Sequence, residues 1–584
     1  MLDEKKLSYY IGKSKTLQPF DAEKKIRIVI LGSFTLNGLE EVLRVKCSEI
    51  QIQCNTYLAA YNQYNQEILN SQSELYKFSP DITFLIIDTR SILGELFFSP
   101  YLISIEERKK LIENKLQDIL NLVKIFCSKS QSKLVICNFT VPTYSPYGII
   151  ENKTQYSLQE MVYDLNEKLR HNLISEPSVF IFDFNGFVAK YGERNVFDYR
   201  QYFYGDVKIS FDYLPYFANE LMGYVKSVMS INKKCIVLDL DNTLWGGIVG
   251  EDGFNGIKLG NDPLGKSFVE FQRHLVALHQ RGIILAINSK NNWDDAMKVI
   301  SDHPNMVLRE KHFACMKINW DDKISNFKDI SQELNIGLDS MVFFDDDPVN
   351  REIVRMNLPE ILTVDLPQDP SYYVQTLLEL NDFHVLKITE EDKKRGEMYL
   401  QQQKRIELGK NAKNLDEFLK KLDIKVTIKK ADEFTIPRIS QLTLKTNQFN
   451  LTTHRYQEED IRNFSKDPKK IVGCTRVEDK FGDNGITGVY IINKDNDVEW
   501  TIDSFLLSCR IIGRGVEYGI LDHIIQKAKK EGVKKIKGKY IPTKKNKPAE
   551  NFLPDFGFTK ENDFWVYSTD KPVKRQDHLM IKIE

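Results

Sequence analysis

Two aspartates stand one residue apart directly after an apolar run. Ile236, Val237 and Leu238 lead into Asp239, and Asp241 follows two positions later. A buried charge costs free energy unless it is paired or bound to a metal. The spacing therefore predicts that this pair either binds a cation or takes part in a reaction.

Polar side chains also follow two later strand-like runs, and a lysine begins the helix that precedes the last of them. In chain order these residues are Asp239, Asp241, Ser289, Lys323, Asp345 and Asp346. Ligands of open parallel sheets bind beyond the carboxyl ends of the strands. We therefore expect these side chains to meet in one crevice.

The residue types in this crevice favour phosphoryl transfer. Four carboxylates cannot share a site as anions without a cation, and an all-oxygen donor set suits Mg²⁺. The Ser289 hydroxyl and the Lys323 ammonium are suited to hold a phosphate. Asp239 can then act as a nucleophile that forms an aspartyl phosphate, and Asp241 can move the proton.

The order Asp-x-Asp-x-Thr, Ser, Lys and Asp-Asp resembles the haloacid dehalogenase (HAD) phosphatase superfamily. More closely, "VLDLDNTLWGGIVGEDG" and "INWDDKISNF…FFDDDPVNRE" resemble the FkbH-like proteins. The resemblance implies that Asp239 is the nucleophile and Asp241 the acid–base group. It also implies that Ser289 and Lys323 hold phosphate. Asp345, with Asp346 and the Asp241 backbone, would complete a Mg²⁺ site that Asp239 shares.

FkbH-like proteins load a glyceryl group from 1,3-bisphosphoglycerate onto the thiol of an acyl carrier protein and remove phosphate, so the resemblance implies this activity. One departure stands at the second motif, where the family often has Ile-Cys-Ser-Lys-Asn and this chain has Asn288 in place of the cysteine. Cys509 is an unproven substitute that we interpret as a packed strand residue. Three alternatives stay open: a stand-alone phosphomonoesterase, a non-catalytic carrier-docking module, and an acetyltransferase acting alone.

A glycine-containing turn near the chain end predicts an anion site. Arg510, Gly513, Arg514 and Gly515 lie between a predicted strand and a predicted helix, whose N–H groups can face an anion. The pattern resembles the pyrophosphate loop of GNAT acetyltransferases, which implies coenzyme A or phosphopantetheine as a bound substrate. The alternative is a plain strand-to-helix turn. An amide-rich loop (447–453) precedes this turn, and its residue types favour a structural role.

Residues 527–547 carry ten lysines and one glutamate. Such a patch can attract an acidic partner, and acyl carrier proteins are typically acidic. A solvated helix face is the alternative. No aromatic interleaving or known binding motif accompanies the lysines, so we do not expect nucleic acid as a partner.

The first part of the chain resembles SGNH hydrolases. Ser33 follows the first predicted strand, and Asn138 ends a later one as an oxyanion donor would. The region that should carry Asp-x-x-His has no histidine, and the only histidine before residue 230 is His171. A serine without its base is a weak nucleophile. We therefore expect a scaffold that docks a partner rather than a hydrolase.

Alternating strands and helices predict a multidomain α/β protein with two parallel sheets, SGNH-like (flavodoxin-like) and HAD-type, and a C-terminal α+β GNAT-like domain. We place the domains at 1–230, 231–372 and 423–584, with a helical connector at 373–422. Lysine plus arginine (81) balance aspartate plus glutamate (82). No apolar run reaches the ~18 residues of a membrane span, and the start lacks a signal-peptide core, so we expect a cytoplasmic protein. The sequence leaves the oligomeric state open.

Overall fold

The structure is a computed structural model, which describes residues 4–18, 22, 24–388, 401, 405, 408, 414–543, 545–572 and 576–584. The chain divides into two compact units. Unit 1 comprises Met1–Ile231 with His384–Leu386, and unit 2 comprises Asn232–Phe383 with Lys387–Glu584. Within the described residues, no helix is both long and apolar enough to cross a membrane.

Unit 1 contains a five-stranded sheet in the order β2-β1-β3-β4-β5, and every neighbouring pair is parallel. Its strands are β1 (Lys24–Gly32), β2 (Ile52–Leu58), β3 (Ile82–Ile86), β4 (Lys133–Cys137) and β5 (Val179–Phe182). Apolar clusters on both faces bury the strands, which explains their nearly continuous apolar sequences. The parallel sheet predicted here is confirmed.

Helices connect and cover these strands. They are α1 (Leu7–Thr16), α2 (Leu39–Glu49), α3 (Tyr64–Leu69), α4 (Glu74–Phe78), α5 (Thr89–Leu93), α6 (Ile105–Lys129), α7 (Leu158–Leu173), α8 (Phe184–Tyr191), α9 (Glu193–Val196), α10 (Tyr199–Gly205) and α11 (Leu214–Val228). The longest, α6, begins with a capping box in which Ser104 and Glu107 satisfy each other's backbone N–H groups.

The first sheet of unit 2 is also five-stranded and parallel, in the order β10-β9-β6-β7-β8. Its strands are β6 (Cys235–Leu238), β7 (Ile284–Lys290), β8 (Phe313–Asn319), β9 (Met341–Phe344) and β10 (Leu362–Thr363). Its helices are α12 (Val249–Asp252), α13 (Pro263–Gln280), α14 (Trp293–Asp302), α15 (Lys323–Leu334), α16 (Pro348–Asn357) and α17 (Tyr373–Leu378). The central strand is β6, so residues that follow it lie between the ends of β7 and β9.

The second sheet of unit 2 follows the order β17-β18-β16-β15-β14-β13-β11-β19, with β12 paired to β15. Its strands are β11 (Ile424–Lys430), β12 (Phe449–Asn450), β13 (Lys470–Asp479), β14 (Gly482–Asn496), β15 (Glu499–Leu507), β16 (Lys535–Gly538), β17 (Thr559–Glu561), β18 (Phe564–Ser568) and β19 (Leu579–Ile583). Most pairs are antiparallel, but β15 with β16 and β11 with β19 are parallel. This mixed sheet confirms the expected α+β class.

Helices α18 (Leu415–Leu422), α19 (Ile436–Lys445), α20 (Glu458–Lys466), α21 (Val516–Lys530) and α22 (Phe552–Phe556) accompany this sheet. The helical connector predicted at 373–422 lies partly outside the described residues; within it, α17 and α18 are described helices. The four-part domain division stays a prediction, because both sheets of unit 2 belong to one compact unit.

Candidate active site

The register of the parallel sheet brings the predicted motifs of unit 2 together. Leu238 on β6 pairs with Phe344 on β9 and with Ile287 on β7. Asp239 and Asp345 therefore leave neighbouring strands at the same level. The Asp239 N–H continues the ladder by donating to the Phe344 carbonyl at 2.9 Å. The crevice expected at the carboxyl ends of these strands is thus present.

Lys323 is the charged centre of this crevice. Its Nζ lies 3.0 Å from Asp239 Oδ1 and 2.7 Å from Asp345 Oδ2, and donates to the Asn288 carbonyl at 2.9 Å. The Lys323 side chain is only 4% exposed and that of Asp345 is fully buried. Burial disfavours the ammonium, but the two carboxylates outweigh it and raise the pKa of Lys323. The lysine therefore stays charged and can face a phosphate.

Three carboxylates are placed so that they could share a cation. Oxygens of Asp239, Asp345 and Asp346 lie within 4.8 Å of one another. Asp239 Oδ1 and Asp345 Oδ2 are buried, accept no hydrogen bond from the described residues and face Lys323 only as ion pairs. Burial, then the charges of Asp239 and Asp345, raise the pKa of Asp346 to about 7. This crowded all-oxygen set fits Mg²⁺, which needs carboxylates and keeps several waters.

Asp241 is held differently from the other three. Its Oδ1 accepts hydrogen bonds from Trp245 Nε1 at 2.8 Å and from the Val249 N–H at 3.0 Å, and its Oδ2 accepts one from Asn291 Nδ2 at 2.8 Å. Its carboxylate lies outside the three-carboxylate cluster. Three donors therefore fix the Asp241 side chain, and burial raises its pKa. The part expected of Asp241 in the Mg²⁺ site, through its backbone, stays a prediction.

Asn288 is the residue that sequence reasoning undervalued. It is fully buried, its amide donates to the Lys323 carbonyl at 3.0 Å, and its Oδ1 accepts from Asn326 Nδ2 at 3.1 Å. It therefore ties the end of β7 to the first turn of α15 and positions Lys323. A polar residue inside an apolar strand was the available signal. Ser289 follows it, buried at the carboxyl end of β7.

The arginines of the predicted coenzyme A loop of unit 2 make contacts within the chain. Gly513 and Gly515 take left-handed conformations with φ of 79° and 75°. Arg514 is only 5% exposed, pairs with Asp479 at 2.9 Å, and its carbonyl lies 2.8 Å from His578 Nε2. Arg510 Nε donates to Ser508 Oγ at 3.3 Å. The Arg514 side chain thus forms an ion pair in the interior of unit 2.

The strand edge beside this loop is also occupied. Along one edge, β15 pairs with β16 up to Ile502 and then with β12 at Leu506 and Leu507. The Leu451 N–H donates to the Phe505 carbonyl at 3.1 Å, and the Ile541 N–H donates to the Leu451 carbonyl at 2.8 Å. An extended pantetheine arm would need such a free edge for its amides. The described residues therefore do not fit coenzyme A bound along β15.

The amide-rich loop supplies the segment that fills this edge. Asn450 is fully buried, its Oδ1 accepts from the Thr453 N–H at 2.9 Å, and its carbonyl accepts from Asn546 Nδ2 at 2.9 Å. These contacts agree with the structural role expected for the loop. The interpretation of Cys509 as a packed strand residue is wrong: it lies beyond β15 in a short 3-10 turn (Cys509–Ile511) and is half-buried. Its carbonyl accepts from Asn335 Nδ2 at 2.5 Å.

Lysines of the basic stretch make ion pairs within unit 2. Lys537 Nζ lies 2.5 Å from Glu499 Oε1, and Lys545 pairs with Asp339. These pairs lower the charge that the stretch offers to a partner. Docking of an acidic carrier on it stays a prediction.

The candidate hydrolase residues of unit 1 have structural partners. Ser33 Oγ accepts the Asp88 N–H at 2.9 Å and is 2% exposed. Asn138 Nδ2 donates to Asp183 Oδ1 at 2.7 Å, and Asn138 Oδ1 accepts from the Asn185 N–H at 2.9 Å. Both residues hold strand ends. His171, on α7, lies beside Arg170 at 3.0 Å.

Comparisons with known proteins agree with this architecture. The family model described as FkbH, N-terminal domain, matches residues 27–226. The solved N-terminal part of protein BF1531 from Bacteroides fragilis, which contains a phosphatase domain complexed with Mg, is 31% identical with a TM-score of 0.60. It covers 66% of this chain, and this chain covers 100% of it.

Lower similarity connects the chain with acetyltransferase structures. The ribosomal-protein-S18-alanine N-acetyltransferase from Escherichia coli is 12% identical, with a TM-score of 0.21. The match covers 26% of this chain and 98% of the acetyltransferase. A GNAT acetyltransferase from Staphylococcus aureus Mu50 is 12% identical over 25% of this chain and 99% of its own, with a TM-score of 0.20. No curated protein matches significantly. From the FkbH match and the likeness to the whole of the solved N-terminal part of BF1531, the chain belongs to the FkbH-like family and has a HAD-type phosphatase domain.

Proposed function

We propose that this protein is a Mg²⁺-dependent phosphatase-type enzyme that also loads a glyceryl unit from 1,3-bisphosphoglycerate onto an acyl carrier protein. The observation that carries the phosphatase part is the buried cluster of Lys323 with Asp239 and Asp345. The transfer part rests on the family resemblance.

In the phosphatase reaction, an Asp239 oxygen bonds to phosphorus while the bond from phosphorus to the leaving oxygen breaks. Asp241 supplies the proton that the leaving oxygen takes. Water then bonds to phosphorus, the bond to Asp239 breaks, and Asp241 accepts the proton of the water. Phosphate leaves and Asp239 is restored.

The neighbouring residues support these steps by orientation and charge. Trp245, Val249 and Asn291 hold the Asp241 carboxylate in one orientation through three donors. Lys323 and Ser289 face the transferred phosphoryl group. Asp239, Asp345 and Asp346 would hold Mg²⁺, which when bound neutralises phosphoryl charge and orients the substrate.

The glyceryl step proceeds without an enzyme thioester at position 288. The side chain there is a buried amide that already makes two hydrogen bonds. The carrier thiol sulfur therefore bonds directly to C1 of the acyl phosphate. The C1–oxygen bond to phosphate breaks, and the thiol proton goes to solvent. Removal of the remaining phosphate at Asp239 follows, so two phosphates are released for each glyceryl group.

The test is intact-mass analysis of a carrier protein incubated with this enzyme, Mg²⁺ and 1,3-bisphosphoglycerate, with free phosphate assayed in parallel. We expect a glyceryl adduct with the wild type. Asp239→Asn should leave a heavier phosphoglyceryl adduct or none. Asp294→Asn, at an exposed position of α14, is the matched control and should behave as wild type.

Two results would contradict parts of this proposal. Undiminished removal of phosphate by Asp239→Asn would exclude the assigned nucleophile. Phosphate release with an unmodified carrier would contradict glyceryl transfer to that carrier and favour a stand-alone phosphomonoesterase, the second candidate.

A further inference from the structure

We propose that unit 1 contains a binding site for a small organic carboxylate, in a cavity where Arg90 offers its guanidinium to the ligand. This site is separate from the phosphatase crevice, and it does not use Ser33 or Asn138.

The cavity lies beyond the carboxyl ends of β3 and β4. Its volume is about 130 Å³, and it is lined by Asp88, Thr89 and Arg90 after β3 and by Thr140 after β4. Chain order in this sheet reverses beside β1 and β3, the location where open α/β sheets bind ligands. The cavity borders this location through the residues that follow β3.

Arg90 is the group that the cavity leaves without an acceptor. Its guanidinium lies 4.8 Å from the ring centre of Phe97, 5.3 Å from that of Tyr202 and 5.6 Å from that of Tyr199. Among the described residues, its side chain makes no hydrogen bond or ion pair. The rings orient the planar fork, whose N–H groups suit a carboxylate.

The other charges that line the cavity already have partners. Asp88 and Lys208 form a buried ion pair. Asp198 Oδ1 accepts the Arg200 N–H at 2.9 Å, and its Oδ2 accepts Gln201 Nε2 at 2.9 Å. Glu193 accepts a hydrogen bond from the Thr143 hydroxyl. Glu193 and Asp198 keep their charge, since their donors are neutral, but these hydrogen bonds hold them. Among the described lining residues, Arg90 is thus the cation without an acceptor, and a single guanidinium matches a monoanion better than a phosphate dianion.

Size and lining narrow the ligand class. A cavity of roughly 150 Å³ holds one benzene-sized molecule, and this cavity measures about 130 Å³. Phe97, Val141, Val188 and Phe197 supply an apolar wall. The matching ligand is a small carboxylic acid with a compact apolar or aromatic body.

The test measures equilibrium binding of benzoate, the probe, to the full chain. Ligand-observed NMR and calorimetry detect the binding. Benzamide has the same shape without the charge, and benzylamine has the opposite charge. We expect benzoate to bind at least about 10-fold more tightly than either compound, because neither can form the charge-assisted bidentate bond that a carboxylate makes with a guanidinium. Arg90→Gln should lower benzoate affinity by a similar factor.

Arg200→Gln is the matched control, since Arg200 is an exposed arginine on α10, the helix that carries Tyr199 and Tyr202. It should bind benzoate as wild type does. Arg90→Lys, which keeps the charge but not the fork, should lose most of the affinity, and melting temperatures report whether each variant is folded. Absence of benzoate binding, equal binding of benzamide, or full binding by Arg90→Gln would each overturn the proposal.

Discussion

Lys323 Nζ lies 2.7 Å from Asp345 Oδ2, and neither side chain is more than 4% exposed. This contact joins the first residue of α15 to the end of β9. Since Asp239 lies 3.0 Å from the same ammonium, one lysine compensates two buried carboxylates.

Replacement of this lysine should therefore make stability depend on Mg²⁺. Lys323→Met leaves two adjacent buried carboxylates without a cation, which costs about 3–5 kcal/mol. We expect a large fall in melting temperature in EDTA and a smaller fall in Mg²⁺. Lys328→Met, at an exposed position of α15, should change neither. An equal fall with and without Mg²⁺ would show that these carboxylates do not bind the ion.

Restoring the family cysteine at position 288 should not create a reactive thiol. The position is fully buried, and its neighbours are the first turn of α15 and Asn326. Burial raises a thiol pKa and removes access. Native Asn288→Cys should take up no more iodoacetamide than wild type in intact-mass analysis. Lys290→Cys, two residues along and exposed, should gain one alkyl group; an equal gain at position 288 would contradict the closed geometry.

Removal of Asp479 should destabilise unit 2 strongly. Asp479 pairs with Arg405 at 2.7 Å and with Arg514 at 2.9 Å, and its side chain is fully buried. Asp479→Asn removes the carboxylate that two buried guanidinium groups share, at a cost of about 3–5 kcal/mol. Asp483→Asn breaks an exposed pair with Arg476 and should cost below about 1 kcal/mol. Equal melting temperatures for the two variants would contradict this account.

The ion pairs of Asp479 with Arg405 and Arg514 also determine how stability depends on pH. Burial acts to raise the pKa of Asp479, but the two arginines outweigh it, and the net shift is downward. A lowered folded-state pKa contributes stability at neutral pH, which is lost as pH falls below about 3.9, the unfolded value. The difference in stability between wild type and Asp479→Asn should therefore become smaller only at acidic pH.

Glu517 should act in the opposite direction. Its Oε2 is buried with no partner among the described residues, and burial raises its pKa to about 7. The folded state then binds the proton more tightly than the unfolded state, so stability falls as pH rises from about 4.3 towards that value. At pH 8, Glu517→Gln should raise the free energy of unfolding by up to about 3 kcal/mol, and the melting temperature should rise with it. At pH 4 the increase should be much smaller. A constant difference across this range would show that Glu517 does not titrate in this way.

Coenzyme A should not bind along β15. Its edge already bonds to Leu451, and Arg514 already pairs with Asp479. Calorimetry with coenzyme A and with pantetheine should detect no saturable binding to the full chain. Hydrogen exchange of the Leu451 and Ile541 amides should stay slow and unchanged when either compound is added. Saturable binding, or faster exchange at these amides, would mean that the segment can be displaced.

The phosphatase crevice was predictable because its geometry follows from local rules. Parallel strands place their carboxyl ends at one edge, so Asp239, Ser289 and Asp345 had to approach one another once the strands were recognised. The position of Lys323 at a helix start followed in the same way. The role of Asn288 did not, because it depends on which face of β7 packs against α15.

The contacts of Arg514 inside unit 2 could not be predicted from the sequence. Two partners of Arg514, Asp479 and His578, lie 35 and 64 residues away in the chain. A motif of arginine and glycine is the same whether its side chain reaches a phosphate or a buried carboxylate. Likewise, no local pattern indicates that Phe449 and Asn450 pair with β15. Such contacts depend on tertiary packing.

The segment at Phe449–Leu451 has a consequence for handling the protein. An uncovered strand edge is a template for pairing with other chains and leads to aggregation. Because Asn450 and Asn546 fasten this segment against β15, the edge is protected within the molecule. A truncated C-terminal fragment that begins after residue 453 would expose it, so such a fragment should precipitate where the longer chain stays in solution.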